Sequence, residues 1–290
     1  MFSHIPVLLD EVIQYLEPKA GGRFIDATLG AAGHARALLD RTAPDGKVLG
    51  IDQDESALIT AKESLRSFGS RAVFVHANFR DVALIAAKHG FMECEGVLAD
   101  LGISSMMVDD PSRGFSFMRE GPLDMRMDRA QATTAADVVN TASERDIADI
   151  LYTCGEERRS RPIARSIVRS RPLQSTMDLV RAVERVTGGP RYGHIHPATR
   201  TFQALRIYVN NELESLEAFL DSSMTIVRRG GRVVVISFHS LEDRIVKQKF
   251  RASDGTGRVL TKKVITGTEE EVRSNPRARS AKLRAWERSE

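Results

Sequence analysis

The stretch Arg23-Phe24-Ile25-Asp26-Ala27-Thr28-Leu29-Gly30-Ala31-Ala32-Gly33-His34 decides the fold of this chain. A short apolar run ends in a carboxylate, two glycines follow three residues apart, and a helical pattern begins. Such a strand-turn-helix junction places glycine where the backbone must come close to a ligand, because a side chain there would block it. Working outward, the same design recurs. Lys47-Val48-Leu49-Gly50-Ile51-Asp52, Ala72-Val73-Phe74-Val75-His76 and Gly96-Val97-Leu98-Ala99-Asp100 are apolar runs ending in polar residues, with helix-like segments at 34–40, 55–68 and 80–89 between them. Asp26, Asp52, Asn78 and Asp100 fall 26, 26 and 22 residues apart, about one strand-helix repeat each. Continuous rather than alternating apolar runs predict strands covered on both faces, as in a parallel sheet. Right-handed crossovers then bring all four polar residues to one sheet edge. The expected fold is α/β, a Rossmann-like sheet.

The repeat stops after Asp100. It resumes with a helical pattern over 211–227 and the strand-like run Gly231-Arg232-Val233-Val234-Val235-Ile236-Ser237. A hundred intervening residues are too many for a loop. Residues 105–130 read as loop and 134–187 as helices, so a mainly helical domain at 105–210 is expected to interrupt an α/β domain made of 1–104 and 211–290. Beyond Ser237 the pattern predicts a helix over 241–250, with Ser240 and Asp243 as its capping box. Strand-like runs at 259–266 and 281–286 flank an acidic turn, Glu269-Glu270-Glu271, and predict a closing hairpin.

The chain has 290 residues, with 42 Lys and Arg against 39 Asp and Glu. A net charge of +3 neither demands nor excludes a nucleic-acid partner, so charge placement matters more than the sum. Two cysteines, Cys94 and Cys154, argue against a disulfide framework. The first residues lack the pattern of a signal peptide, and no apolar run has membrane-spanning length. A cytoplasmic protein without a membrane partner is expected.

Asp52 at the second strand end is placed to accept from the ribose hydroxyls of an adenosine-containing cofactor, with Asp54 beside it. A dinucleotide would want a third glycine and a helix N-terminus for its pyrophosphate. Only Gly30 and Gly33 are present, and Asp26 would repel a pyrophosphate while suiting the methionine ammonium of S-adenosylmethionine. The charge argument favours the methyl donor over a nicotinamide cofactor. Phe79 is either an aromatic wall for the adenine or a core residue. Asp100-Leu101-Gly102-Ile103-Ser104-Ser105 lies where a methyl acceptor should meet the donor. If that acceptor is a delocalised amine it is a poor nucleophile, and acceptors on its N–H groups would help it. Asp100, or the backbone carbonyls of Asp100 to Gly102, does this, or else Asp100 only braces the loop or contacts the cofactor.

Several blocks resemble one family: His4-Ile5-Pro6-Val7-Leu8-Leu9, Asp26 to His34, Asp100 to Ser105, Arg113-Gly114-Phe115-Ser116-Phe117, and Pro122-Leu123-Asp124-Met125-Arg126-Met127-Asp128. The likeness continues through the segment at 196–207, Ser237-Phe238-His239-Ser240-Leu241-Glu242-Asp243-Arg244, and the segment at 275–284. In order and almost end to end, they are similar to the bacterial ribosomal RNA small subunit methyltransferase H family, also called MraW. The resemblance implies a methyltransferase domain with an inserted helical domain and N4-methylation of a decoding-region cytidine of 16S rRNA. It implies cofactor contacts at Ala32, Gly33, His34, Asp52, Phe79, Asp100 and Met107. Two positions depart from the family pattern, which commonly has glycine at Ala32 and glutamine at Met107. A backbone contact at Ala32 is expected to survive if φ there is negative; a glutamine-type hydrogen bond is lost at Met107.

For the RNA, Arg158, Arg159, Arg161, Arg165, Arg169 and Arg171 make the insertion locally basic, unless they form a solvated face paired with Glu156 and Glu157. Arg273, Arg277, Arg279, Lys282 and Arg284 do the same near the end. Arg113, Phe115, Arg200 and Arg206 are the candidate substrate contacts. Arg113, Phe115 and Phe117 would clamp an extruded base, or the phenylalanines would be core. The helical insertion is expected to cover the active edge and grip RNA. His194 and His196 lack partnering cysteines or carboxylates, so no metal site is expected, and His239 is read as shaping the turn after the fifth strand. The rival readings are a methyltransferase for DNA or protein amines, and an RNA-binding assembly factor with a relic cofactor pocket.

Overall fold

The structure, a computed structural model, describes residues 5–190, 192, 195–253 and 255–289. The chain first builds α1 (Leu9–Leu16), β1 (Arg23–Asp26), α2 (Gly33–Arg41), β2 (Lys47–Asp52), α3 (Glu55–Ser64), β3 (Ala72–His76), α4 (Val82–His89) and β4 (Cys94–Asp100). Helices follow: α5 (Ser105–Asp109), α6 (Ala135–Thr141), α7 (Glu144–Gly155), α8 (Ser160–Arg169), α9 (Thr176–Thr187) and α10 (Thr199–Val209). The last part is α11 (Glu212–Ile226), β5 (Val227–Ser237), α12 (Ser240–Ala252), β6 (Gly257–Val259), α13 (Glu269–Ser274) and β7 (Lys282–Arg288). The chain divides into two compact units, one made of the chain up to Gly102 and from Leu213 onward, the other of Ile103–Glu212. His4 and His194 lie outside the described residues.

In the first unit the strands form one sheet in the order β3-β2-β1-β4-β5-β7-β6. β1 to β5 pair in parallel, whereas β7 runs antiparallel to both β5 and β6. Alternate residues of the apolar runs feed two separate cores. Phe24, Val48, Leu98, Val234 and Ile236 point to one face, and Ile25, Leu49, Val97, Val233 and Val235 to the other. All ten are at most 1% exposed, each contributing roughly 1.5–3 kcal/mol of burial. Two-sided burial is why these strands read as unbroken hydrophobic runs.

The end of this unit departs from the sequence reading in three places. The capping box of α12 is His239 with Glu242, one residue before the Ser240–Asp243 pair expected. Ser240 is already helical, and Asp243 instead pairs with Arg284 across two hydrogen bonds of 2.6 and 3.2 Å. The acidic triplet opens α13 rather than a turn: Thr268 accepts from the Glu271 amide, and three carboxylates in a first turn suit the helix dipole. The hairpin's first strand is not the run at 259–266 but β6, which ends at Val259 and pairs antiparallel with β7; of the expected run beyond it only Ile265 meets β7, in a single bridge to Leu283.

The second unit packs α6 to α10 around Val139, Ile147, Leu151, Ile163, Ile167, Leu179, Val183 and Leu205, each fully buried. α7 and α10 approach closely because Gly155 has no side chain; a Cβ there would lie 2.6 Å from the Arg200 carbonyl oxygen. The segment ahead of α6, read as loop, contains α5 and is tied down by two side chains. Asn210 accepts from the Met127 amide and donates to the Met125 carbonyl, both at 2.7 Å. Arg113 donates to the carbonyls of Arg126 and Met127 at 3.0 and 2.8 Å.

Candidate active site

Parallel pairing sets Asp26, Asp52 and Asp100 at the C-terminal ends of β1, β2 and β4. After β1 the chain turns through Gly30, whose φ of +50° is a backbone state that favours glycine. The Gly30 amide donates to Asp52 Oδ2 at 2.8 Å, and the Asp54 amide donates to Asp52 Oδ1 at 2.9 Å. The Gln53 amide adds a weaker contact to the same carboxylate. The Asp52 side chain thus couples the first and second βα turns.

Asp100 anchors the opposite side. Its amide donates to Thr28 Oγ1 at 2.6 Å, locking β4 onto the same turn. Among the described residues its Oδ1 is buried without a hydrogen-bond partner, an acceptor left open at the sheet edge. Its Oδ2 faces His34 Nδ1 at 3.9 Å. The other imidazole nitrogen, Nε2, lies 2.9 Å from the Val7 carbonyl and must be the protonated one, since a carbonyl only accepts.

The carboxylates share an environment that resists charge. Burial pushes Asp26 up to about 7 and Asp52 up to about 6, with amide hydrogen bonds opposing the shift in both. Burial also pushes Asp100 up to about 8, reinforced by the negative fields of Asp26 and Glu242 and moderated by Arg277. Carboxylates held near neutrality by burial and like charge become fully charged when a cation arrives. A group carrying a sulfonium and an ammonium fits that donor set, and it fits the glycine turn beside it.

Ala32 adopts φ +64° and ψ +27° and is 1% exposed, so the condition under which its backbone contact would survive, a negative φ, is not met. The turn into α2 needs a left-handed residue, and this chain supplies it with alanine. Gly33 and His34 open α2, with His34 buried. Phe79 is half-buried with its ring edge-on to Phe219, centroids 5.3 Å apart, which gives it a core contact. Asn78 lies past the end of β3, where its side chain accepts from the Arg80 amide and donates to Gln53.

The remaining expected site residues belong to the helical unit. Met107 is 4% exposed within its apolar core, as is Phe115 at 8%. The Arg113 guanidinium is likewise buried and committed to carbonyls, so neither Arg113 nor Phe115 presents a free surface to a base. Phe117 stacks on His196 at 4.5 Å and meets Phe202 edge-on. Arg206 holds Glu212 through two hydrogen bonds of 2.8 and 2.9 Å, whereas Arg200 is exposed. His196 lies 3.6 Å from Glu184, and no group of three or more metal-ligating side chains occurs among the described residues.

Two features escaped the sequence reading. Residues 5–8 fold against the first turn, with the Leu8 amide donating to Glu271 Oε1 at 2.7 Å and Asn275 Nδ2 donating to the Ile5 carbonyl at 3.1 Å. Glu242, 2% exposed, accepts from the Phe238 amide at 2.8 Å and contributes to the field at Asp100. Nothing in local periodicity signals either one. The blocks that contain them are noticeable only as resemblance.

The model of the MraW methylase family matches residues 1–289. A protein of Cyanothece sp. named ribosomal RNA small subunit methyltransferase H is 51% identical, covering 99% of this chain and 95% of the relative. Proteins of the same name from Sorangium cellulosum and Dehalococcoides mccartyi are 49% and 47% identical, each over 99% of this chain and over 91% and 87% of the relatives. A solved structure of a candidate rRNA-methylase from Clostridium thermocellum shares the fold, with a TM-score of 0.50 at 11% identity, covering 99% of this chain and 100% of that one. With a family match over nearly every residue and relatives near half-identical, the chain belongs to the MraW methylase family and is a methyltransferase.

Proposed function

We propose that this enzyme transfers a methyl group from S-adenosylmethionine to the N4 amine of a cytidine in the decoding region of 16S rRNA, by direct in-line displacement. The observation that carries the reading is the open, buried Oδ1 of Asp100, set beside the turn of Gly30 and Asp52. The shared name of the relatives supports ribosomal RNA as the substrate class.

Gly33, His34, Asp52, Phe79 and Asp100 hold the cofactor in this reading; the negative φ required for a backbone contact at Ala32 is not met, and Met107 is packed in the apolar core of the helical unit. Bound there, it supplies an electrophilic methyl on a sulfonium. Asp52 accepts from the ribose hydroxyls, and Asp26 faces the ammonium. Asp100 accepts a hydrogen bond from the N4 amine, which restores lone-pair density that the ring withdraws. It would take the proton that the amine gives up on methylation. Most of the remaining acceleration is alignment of two bound reactants. The helical unit, 105–210 on the sequence reading, binds the RNA. Such a substrate sets the reaction in the cytoplasm.

The test is transfer of labelled methyl to small ribosomal subunits that lack the endogenous modification, followed by nucleoside analysis. Label in N4-methylcytidine, lost in Asp100→Ala, is expected. Label in another nucleoside, or in protein, would overturn the assignment.

A further inference from the structure

Four of the arginines that the sequence offers to nucleic acid are already engaged inside the fold. Arg113 and Arg171 donate to backbone carbonyls, Arg206 pairs with Glu212, and Arg284 pairs with Asp243. α8 is different. Its buried side is Ile163, Ala164 and Ile167, while Arg161, Arg165 and Arg169 are all exposed at four-residue steps. Each step rises about 6 Å along the axis, so the three side chains root in a slowly winding row about 12 Å long.

No acidic residue occurs anywhere from Arg158 to Arg171. Two nearby carboxylates, Glu157 and Glu144, do not neutralise the row. Glu157 is buried and accepts from the Arg159 amide at 2.8 Å. Glu144 lies 3.2 Å from Arg165, but both side chains are solvated, and such a pair stabilises little. Arg161 sits in the first turn of α8, where the helix dipole disfavours a cation. Helix stability therefore does not account for the row. Guanidinium groups match phosphate oxygens with a planar fork of donors, and they stay charged at any relevant pH.

We propose that Arg161, Arg165 and Arg169 of α8 form the track on which the helical unit holds the sugar-phosphate backbone of the ribosomal RNA substrate. The inference rests on the rRNA reading above. Backbone contacts carry no base information, so the row sets affinity and register while the choice of cytidine is made elsewhere.

The full-length triple variant R161Q/R165Q/R169Q is compared with the parental enzyme for binding to unmodified small ribosomal subunits between about 50 and 200 mM salt. Each lost phosphate contact should flatten the log–log salt slope by roughly 0.7–0.9, so a change of about 2–3 is expected. KM for the subunits should rise at least about tenfold at the upper end of that salt range, with kcat at saturation and S-adenosylmethionine affinity unchanged. The matched triple R41Q/R66Q/R251Q, exposed positions of the other unit, should keep the parental slope. The lysine triple R161K/R165K/R169K should recover most of it. A parental slope in the α8 glutamine triple, or an equal loss in both glutamine triples, overturns the proposal alone, provided that the parental enzyme methylates rRNA. So does equal loss in the glutamine and lysine triples, which would trace the effect to packing of α8. A parental enzyme that methylates no rRNA overturns the reading beneath the proposal as well.

Discussion

Gly33 lies directly against Pro6: a Cβ on Gly33 would stand 2.4 Å from the proline Cγ and 3.2 Å from its Cδ. The segment at 5–8 is thereby folded onto the turn that enters α2. Glu271 and Asn275 hold it from the other end of the chain, and the His34 ring donates to the Val7 carbonyl. Residues more than two hundred positions apart thus define one wall of the candidate cofactor site.

Gly33→Ala must push the proline ring away, and a ring fixed to the backbone cannot swing aside like a flexible side chain. The expected cost is about 1–3 kcal/mol in stability. S-adenosylmethionine affinity should fall with it, because the displaced segment anchors His34. Urea unfolding and calorimetric titration measure the two effects. Parental values for both would show that the segment does not support the turn.

Ala32→Gly tests the neighbouring position with the opposite sign in view. The left-handed backbone costs an alanine about 1–2 kcal/mol. Relief of that strain is offset by loss of a buried methyl, about 0.8 kcal/mol, and by extra unfolded-state freedom of about 0.5–1 kcal/mol. Stability should therefore stay within about 1 kcal/mol of the parental protein. Ala32→Val should lose about 1–3 kcal/mol, because a branched side chain tolerates this backbone poorly. Thermal unfolding of the pair decides whether backbone strain is the operative term.

The buried carboxylates make stability fall as pH rises. Asp26 and Asp100 titrate near 7 and 8 in the folded protein against 3.8 ordinarily, so between those values the folded state binds more protons than the unfolded state. Their contribution is fully present below about pH 3.8 and lost through about 7 to 8, at up to about 1.4 kcal/mol per pH unit per group. The urea midpoint of the free protein should drop between pH 5.5 and 8.5, and Asp100→Asn should flatten that drop. Cofactor affinity should move the other way, rising with pH and releasing protons on binding, because a bound cation favours the ionised carboxylates. A midpoint that climbs with pH in the parental protein would contradict this assignment of the buried groups.

Asn210→Ala should destabilise the helical unit by about 2–3 kcal/mol, since it leaves the buried Met127 amide and Met125 carbonyl without their partner. Arg113→Ala should act similarly through the carbonyls of Arg126 and Met127. Both losses should be visible in denaturant melts without any RNA present. If Arg113→Ala melted normally yet failed to methylate, its guanidinium would serve substrate rather than structure.

The parallel sheet was legible in the chain because two-sided burial demands unbroken apolar runs, and each run with its following helix is a local pattern. The glycine turn and the carboxylates at the strand ends were legible for the same reason. The cap of α12 was misplaced by one residue, since His239 and Glu242 satisfy the same donors that Ser240 and Asp243 were expected to serve. What only the tertiary structure decided was the fate of individual charges. Arg113, Arg171, Arg206 and Arg284 resemble Arg161 in sequence, yet remote carbonyls and carboxylates have claimed their guanidinium groups. The elevation of Asp100 likewise depends on burial and on Glu242, and is moderated by Arg277, neither of which any spacing rule connects to it. Periodicity is a property of neighbours along the chain, whereas the charge state and availability of a side chain depend on the neighbours that folding supplies.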